Sequence, residues 1–280
     1  MDLFVLTYGR ATPEQQHTLR QINETGLRAG LVVQAREADK YGWVGSGTDV
    51  IVLPESITTI APTRQYVHDF LAGEKYVMMD DDLHFFKRRT DDPTKFTDIT
   101  PDELSSMFGE IMRALDKNPH VGIAGREGGN RITYPAIPNT RIMRLLAYRR
   151  SEVMARFDDM EVMEDFHVAL SMLRAGKPNL VLNNYCHNQA SGSNAPGGCS
   201  HFRTAELHAR NARFLAKLHR PFVSVVEKET KTAWGGGVRT DVRIQWKAAY
   251  ESSRTSRLDN RKGDVTDQEG GTKVPSAVDG

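Results

Sequence analysis

The sequence carries three consecutive carboxylates at the end of an apolar segment. The residues from Tyr76 to Met79 are Tyr-Val-Met-Met, and Asp80, Asp81 and Asp82 follow at once. Such an apolar run is typical of a strand that is buried on both faces. Adjacent carboxylates repel one another unless a cation or solvent screens them. The pattern therefore favours Mg²⁺ or Mn²⁺, which prefer oxygen ligands and can bridge a diphosphate, over a solvated acidic loop.

A second acidic pair, Glu164 and Asp165, opens a segment in which apolar residues recur with helical spacing. Acidic residues at a helix N-terminus are stabilising through the helix dipole alone, and this is the structural interpretation. The functional interpretation makes Asp165 a general base that removes a proton from an acceptor hydroxyl, with Glu164 beside it in the catalytic site. The aspartate run earlier in the chain favours the functional interpretation.

Strands and helices must position these residues, and apolar periodicity predicts where they lie. We predict strands at 3–6, 31–34, 50–53, 76–79, 121–124, 141–148 and 180–183. We predict helices at 12–30, 62–73, 100–115, 164–175 and 202–218. Alternation of this kind indicates an α/β fold with a mostly parallel sheet between helices, in which ligands bind at the carboxyl ends of the strands. The three aspartates follow one of those ends.

The composition sets limits on the class of protein. The chain has 280 residues, a formal net charge of +1 and two cysteines. We predict one domain over residues 1–250, with a donor-binding half at about 1–125 and an acceptor-side half at about 126–250, and a polar, disordered tail at 251–280. The sequence shows no signal peptide and no stretch of about 20 apolar residues, so we expect a soluble cytoplasmic protein without a membrane partner.

A strand that ends in Asp-x-Asp, with Glu-Asp at a later helix start, resembles the GT-A-type glycosyltransferases. The resemblance covers about residues 2–190. It implies a GT-A-like (Rossmann-like) α/β/α sandwich. It also implies a metal-dependent, inverting transfer of a sugar from a nucleoside-diphosphate sugar, with a UDP-sugar favoured, to an acceptor hydroxyl. The implied cofactor is Mn²⁺ or Mg²⁺.

The resemblance also assigns roles to residues. Asp80 and Asp82 would hold the metal and the sugar nucleotide, and Asp165 would be the catalytic base. Thr7, Tyr8 and Arg10 would line the pocket for the nucleobase and ribose. The full set of expected donor-binding residues is Thr7, Tyr8, Arg10, Arg64, Asp80, Asp81 and Arg203. Arg203 enters this set because the glycine- and serine-rich stretch at 188–203 could close over the diphosphate.

Two histidines are candidates for the third metal ligand. Members of the family often supply it from a strand after the Glu-Asp helix, which indicates His187, with His201 as the other candidate. A neutral imidazole can bind Mn²⁺, but an ordinary hydrogen-bonded loop histidine explains either residue equally well. A zinc site that also uses Cys186 and Cys199 is disfavoured because the usual Cys-x-x-Cys spacing is absent.

Basic residues are concentrated in the later part of the chain. Three groups stand out: Arg203, His208, Arg210, Arg213, Lys217, His219 and Arg220; Arg141, Arg144, Arg149 and Arg150; and Lys228, Lys231, Arg239, Arg243 and Lys247. Near a substrate cleft they could bind nucleic-acid phosphates, with Trp234 and Trp246 available for stacking, although a solvated helix face is an equal interpretation.

This profile is similar to the bacteriophage enzymes that glycosylate 5-hydroxymethylpyrimidines in DNA, which implies a flipped base as acceptor and a host cytoplasm as location. Three other interpretations stay open. The acceptor could be a polysaccharide, a glycolipid or a small molecule. The chain could be a nucleotidyltransferase, although the residues from Thr7 to Pro13 lack the usual glycine-rich, lysine-containing start. It could also be a non-catalytic nucleic-acid-binding module.

Overall fold

The structure is a computed structural model that describes residues 1–129, 131–189, 203–230 and 237–254. Its strands are β1 (Asp2–Leu6), β2 (Gly30–Val33), β3 (Asp49–Val52), β4 (Lys75–Asp80), β5 (Leu83–Arg88), β6 (Phe96–Asp98), β7 (His120–Gly125), β8 (Ala136–Pro138), β9 (Leu145–Arg149), β10 (Asn179–Gln189), β11 (Val223–Thr230) and β12 (Gly237–Ile244). Its α-helices are α1 (His17–Glu24), α2 (Ile60–Tyr66), α3 (Pro101–Ala114), α4 (Arg126–Gly129), α5 (Glu164–Arg174) and α6 (Ala205–Leu218).

Strands β1 to β10 form one sheet within the described part of the chain. Their order is β3-β2-β1-β4-β9-β7-β10-β5-β6, and β8 pairs with β10. β9, β5 and β8 run against their neighbours, whereas the other strands point the same way. The predicted α/β class with a mostly parallel sheet is confirmed. The sheet is continuous across the predicted donor and acceptor halves, because β9 lies between β4 and β7.

Both faces of the sheet are covered, as apolar strands require. Along β1, Leu3 and Val5 pack with α1 and α3, whereas Phe4 and Leu6 belong to the cluster on the opposite face. This alternation follows from the pleat of a strand, in which successive side chains point to opposite sides. α5 packs on that opposite face through Val168. The layers therefore form the expected α/β/α sandwich.

Several predicted boundaries were wrong for local reasons. The predicted helix at 12–30 is a 3₁₀ turn at Pro13–Gln15 followed by α1, which ends at Glu24 shortly before Gly26 adopts a φ of 75°. The predicted strand at 141–148 begins only at Leu145, because Arg144 has a φ of 66° that no strand accommodates. β5, β6 and β8 were not predicted. The capping box that Thr100 and Glu103 form at the start of α3 is confirmed.

The last described residues form a smaller unit. β11 and β12 make a separate antiparallel hairpin, and residues 246–254 are helical. The predicted tail at 251–280 therefore begins inside a helix, and residues 255–280 lie outside the described chain. Ala212, Leu215, Val242 and Ala249 pack against α5, where Leu170 is fully buried. In the described ranges no helix has the length and apolar character needed to cross a bilayer.

A buried histidine makes the stability of this fold depend on pH. The ring of His120 is 1% exposed, stacks on Tyr148 with ring centroids 4.2 Å apart, and lies with Nδ1 3.0 Å from the carbonyl oxygen of Ala147. Burial lowers the pKa of His120 to about 4. The unfolded chain takes up this proton near pH 6.5 but the folded chain only near pH 4, so stability is lost as the pH falls through that window.

We expect the His120 ring to account for about 2 kcal/mol of the stability lost between pH 7 and pH 5. The variant His120→Phe keeps an aromatic ring against Tyr148 and removes the titrating group. Its free energy of unfolding, measured in urea at both pH values, should fall by less than that of the wild type. Circular dichroism at pH 7 controls for the fold. Equal losses in the two proteins would contradict this assignment.

Candidate functional site

The three aspartates lie in a short turn between β4 and β5 that the first helix fixes. The hydroxyl of Thr18, on α1, donates to the carbonyl oxygen of Asp80 at 2.6 Å and accepts from the N–H of Leu83 at 2.9 Å. The Thr18 N–H also donates to the carbonyl oxygen of Asp81 at 3.0 Å. One fully buried threonine thus holds both ends of the acidic turn. The carboxylates are positioned by backbone geometry before any ligand binds.

The three carboxylates differ in their environments. The side chain of Asp80 is 29% exposed, whereas those of Asp81 and Asp82 are 4% and 2% exposed. Asp81 accepts from the Thr7 hydroxyl at 2.6 Å and forms an ion pair with Arg10. The two contacts direct Asp81 into the sheet edge beside β1. Asp80 is therefore the member of the triplet that a ligand reaches most easily.

Asp82 has an incomplete set of partners. Its Oδ2 lies 3.1 Å from Nη1 of Arg10 and 3.4 Å from Nε2 of Gln189. Its Oδ1 is buried without a hydrogen-bond partner among the described residues. A buried carboxylate oxygen without a donor is costly, so it is a natural place for a cation.

Burial disfavours the charged forms of Asp80 and Asp81. It raises the pKa of Asp80 to about 6 against the lowering effect of Arg64, and the pKa of Asp81 to about 7 against that of Arg10. Like charge from Asp82 raises both pKa values further. A divalent cation at the triplet would favour the ionised carboxylates, which is the electrostatic requirement of a metal site.

Arg64 connects the acidic turn to the second acidic pair. Its side chain, on α2, is 7% exposed and lies 3.3 Å from Oδ1 of Asp80 and 2.5 Å from Oε1 of Glu164. Glu164 is itself buried, and burial raises its pKa although Arg64 lowers it. The structure therefore brings the predicted Arg64, Asp80 and Glu164 together. Glu164 faces Arg64 rather than solvent, which gives it a positioning role.

Asp165 is the open member of the second pair. It is half-buried, and its Oδ1 accepts from the N–H of Phe166 at 3.0 Å. Burial is the main cause of the raised pKa of Asp80, and the charge of Asp165 raises it further by a small amount. The two carboxylates are therefore close enough to interact electrostatically. Met163, which precedes the pair, has a left-handed φ of 65°. Strain of this kind at a non-glycine residue is frequent at functional sites.

Two of the three residues predicted to line the nucleobase pocket contact the acidic turn instead. Thr7 and Arg10 are buried against Asp81, and Gln16 supports both by donating to the Thr7 hydroxyl at 2.7 Å and to the Arg10 carbonyl oxygen at 2.6 Å. Tyr8 is half-buried, and the guanidinium of Arg36 lies 4.9 Å from its ring centroid.

Residues after β2 complete this edge and were missed in the sequence. The Glu37 carboxylate accepts from the N–H of Gly9 at 2.9 Å, and Gln34 donates to the Thr63 hydroxyl at 3.3 Å. The available signal was positional: β2 is parallel to β1, so the residues after both strands meet at one edge.

His187 is fully buried in β10. Its Nε2 lies 3.1 Å from the carbonyl oxygen of Met143, while Nδ1 has no partner among the described residues. Burial lowers the pKa of His187 to about 3, so the ring is neutral. If Nε2 donates to the carbonyl, Nδ1 keeps the lone pair that a metal ligand needs. Even so, in the described ranges no three His, Cys, Asp or Glu residues are grouped as a preformed metal site.

The remaining predicted ligands are the second candidate histidine, the two cysteines and Arg203. His201 and Cys199 lie outside the described residues. Cys186 and His187 are adjacent in one strand, so their side chains point to opposite faces and cannot share one zinc ion. Arg203 is exposed just before α6, and its charge lowers the pKa of Glu164 against the larger effect of burial. Arg203 therefore lies near the second acidic pair, as a residue that closes the site would.

Residues 1–198 match the family described as "TET-Associated Glycosyltransferase". The chain is 26% identical over 206 residues to a Beta-glucosyl-HMC-alpha-glucosyl-transferase of Enterobacteria phage T2, and the match covers 69% of this chain and 71% of that protein. The enzyme of the same name from Enterobacteria phage T6 is 26% identical over 213 residues, covering 71% and 74%.

Solved structures show more distant similarity. A mannosyltransferase from Pyrobaculum calidifontis, in complex with GDP-Man and Mn²⁺, has a TM-score of 0.47 and 14% identity over 78% of this chain and 64% of that one. A Mycobacterium tuberculosis glucosyl-3-phosphoglycerate synthase, in complex with Mn²⁺, UDP and phosphoglyceric acid, has a TM-score of 0.46 and 11% identity over 88% and 90%. The chain spans 65% of the matched S. aureus TarS fragment.

Proposed function

The chain belongs to the TET-Associated Glycosyltransferase family, and on that premise we propose that it transfers a sugar from a nucleoside-diphosphate sugar to the hydroxymethyl group of a pyrimidine in DNA. One observation carries the chemistry. The buried guanidinium of Arg64 contacts the partly exposed Asp80 at 3.3 Å and Glu164 at 2.5 Å, so it joins the acidic turn to the acidic pair that contains the half-buried Asp165. The names of the phage relatives, which contain both glucosyl and HMC, support the acceptor.

We assign the metal to Asp80 and Asp82. The unpartnered Oδ1 of Asp82 and the accessible carboxylate of Asp80 fit a hard cation such as Mn²⁺ or Mg²⁺. Such ions are commonly held by one or two carboxylates together with substrate phosphates, so a third protein ligand is not required. His187 is a candidate for that place through its free Nδ1. When bound, the ion would neutralise charge on the departing diphosphate.

The donor would lie along the edge formed by β1, β2 and β4. Tyr8 and Arg36 offer an aromatic ring and a planar cation to the nucleobase, while Thr7 and Arg10 hold Asp81 in place. Arg203 would approach the diphosphate from the other side. We favour a UDP-sugar as the donor.

Asp165 would act on the acceptor. Its carboxylate takes the proton of the hydroxymethyl group as the oxygen attacks C1 of the sugar, and the C1–O bond to the nucleoside diphosphate breaks. A direct attack of this kind inverts the configuration at C1. Because a pyrimidine inside a duplex cannot reach such a site, the base would be flipped out of the stack. The reaction would take place in the cytoplasm of an infected host cell.

An acceptor panel tests this function. The protein is incubated with Mn²⁺ and radiolabelled UDP-glucose, UDP-GlcNAc or GDP-mannose. The acceptors are matched duplexes that contain cytosine, 5-methylcytosine, 5-hydroxymethylcytosine or glucosylated 5-hydroxymethylcytosine, together with an anionic polysaccharide. We expect label to enter the duplex with a free hydroxymethyl group but neither the cytosine nor the 5-methylcytosine duplex, and EDTA to abolish incorporation. Label in the glucosylated duplex alone would move the acceptor hydroxyl from the hydroxymethyl group to the glucose already attached to it. Label in the polysaccharide, with none in any duplex, would replace the proposed acceptor.

A further inference from the structure

The charge of the chain is divided unevenly along its length. The described residues 203–230 and 237–254, which we call the basic module, contain ten Lys and Arg against five Asp and Glu. Residues 1–202 contain 22 Lys and Arg against 26 Asp and Glu. The net charge of +1 therefore results from cancellation between an acidic body and a basic module. The basic module lies beyond residues 1–198, the segment that matches the family.

Few of these cations are neutralised within the protein. Arg210 pairs with Glu161 at 2.5 Å, and both Lys228 and Arg239 pair with Asp241, at 2.8 and 2.7 Å. Seven exposed cations of the basic module have no ion-pair partner within the described ranges: Arg203, Arg213, Lys217, Arg220, Arg243, Lys247 and Arg254. A cluster of exposed, unpaired cations destabilises the compact state by self-repulsion and attracts a polyanion.

The structure removes the histidines from this set. His208 and His219 are 6% and 2% exposed, and burial lowers the pKa of each to about 4. Both rings are therefore neutral near pH 7. Arg150, one of the second predicted group of basic residues, also has a structural role. It donates to the carbonyl oxygens of Ala72 and Asp69.

Helix α6 presents its cations on one side. Arg210, Arg213 and Lys217 are spaced by three and four residues, so they share a face of the helix. The opposite face carries the buried Ala212 and Leu215. A helix of 14 residues is about 20 Å long at 1.5 Å per residue, so its basic face matches several successive phosphates of a duplex.

The buried face of the basic module contacts the segment that carries Asp165, the proposed base. Asn211 accepts from the N–H of Glu161 at 3.2 Å, and Arg174 of α5 donates to the carbonyl oxygen of Leu218 at 2.9 Å. Met163 and Leu170 pack in the apolar core of the module. The module is therefore fixed to the segment 161–174 on both sides of Asp165.

An aromatic and cationic group lies next to that base. The guanidinium of Arg141 is 4.7 Å from the ring centroid of Phe166, the residue after Asp165. Trp246 of the basic module meets the same ring edge-on at 5.7 Å. Positive charge thus continues from the basic module to the mouth of the acceptor site.

We propose that the basic module is a docking surface for the sugar–phosphate backbone of duplex DNA, which it holds in fixed register with Asp165. The register matters only if Asp165 acts on a base in DNA, so this inference rests on the proposed function. DNA carries one charge per about 1.7 Å of helix axis, a density that can engage several separate cations at once. An uncharged polysaccharide or glycolipid would leave these cations unused.

Two matched triple variants test the surface. The first, Arg213→Gln with Lys217→Gln and Lys247→Gln, removes three unpaired cations of the basic module. The control, Lys40→Gln with Arg113→Gln and Lys117→Gln, removes three exposed cations of the body. Fluorescence anisotropy with a labelled duplex is measured between 50 and 300 mM salt. Transfer to the free 5-hydroxymethyl-2′-deoxycytidine nucleoside is measured in parallel, and thermal melting checks that both variants fold.

We expect the module variant to bind duplex at least tenfold more weakly, with a slope of log K against log salt shallower by about 3, and the control to match the wild type. Transfer to the nucleoside should be equal in all three proteins. Loss of duplex affinity in both triple variants alike, or in neither, would overturn the docking surface, as would module-dependent binding of an anionic polysaccharide but not of DNA. If no protein glycosylates the nucleoside or any duplex, while the module variant alone loses duplex binding, the proposed acceptor is wrong and the docking surface stands.

Discussion

Asp80→Asn is expected to reduce sugar transfer by about a hundredfold or more while leaving the protein folded. Loss of a metal-binding carboxylate removes several kcal/mol of transition-state stabilisation, and each 1.36 kcal/mol is a factor of ten in rate. The side chain of Asp80 is 29% exposed and its contact with Arg64 is 3.3 Å, so its removal should change the free energy of unfolding little. The measurements are initial rates at saturating Mn²⁺ and urea unfolding with and without the ion.

Asp81→Asn is the matched control, one residue away in the same turn. Asp81 is 4% exposed and holds Arg10 and Thr7, so breaking its pair leaves an under-compensated buried guanidinium. Removal of one partner of a buried pair typically costs about 3–5 kcal/mol, and the second contact of Arg10 with Asp82 favours the lower end of that range. We therefore expect Asp81→Asn to be the less stable protein. An active Asp80→Asn beside a stable, inactive Asp81→Asn would transfer the metal role to Asp81.

The second large effect is expected at Asp165. Asp165→Asn should reduce acceptor-dependent transfer by about 10²–10⁴, the usual contribution of a positioned general base. Donor affinity should be preserved, because the side-chain contact that fixes Asp165 is local, to the N–H of Phe166. Donor binding is measured by the Mn²⁺-dependent thermal shift with UDP-glucose, and transfer by product formation at saturating acceptor.

Glu164→Gln provides the contrast to Asp165→Asn. It weakens the ion pair with Arg64 and should act on stability and on donor affinity rather than on proton removal. Proton NMR of the wild-type product reports the configuration at C1, which inverts if Asp165 assists a direct attack. Full transfer activity in Asp165→Asn, or retained configuration in the product, would remove Asp165 from the role of base.

The sequence predicted those parts of the site that depend on short-range patterns. The apolar run of β4 and the amphipathic spacing of α5 located Asp80 and Asp165, because periodicity reports burial directly. The left-handed residues Arg144 and Met163 were not predictable, since only tertiary contacts stabilise such a backbone in residues other than glycine.

The ion-pair partners of the carboxylates could not be predicted from the sequence either. Arg64 and Glu164 lie 100 residues apart, and nothing local distinguishes this arginine from the others. Arg141, whose guanidinium lies near Phe166, was grouped with Arg149 and Arg150, which are close in sequence but lie beside the start of β4. Arg141 and Arg150 are close in sequence, but β9 lies between them. The strand places them at opposite ends of its length.

Arg64 has one guanidinium for two carboxylates from different parts of the chain. A divalent ion that arrives at Asp80 competes for the same negative charge and would weaken the contact of Arg64 with Asp80, while its pair with Glu164 stays in place. Loading of the donor side would then strengthen the contact that holds α5, the helix that carries Asp165. On this view the order in which the two substrates bind is set by the reassignment of a single positive charge, and a kinetic preference for donor first would be its signature.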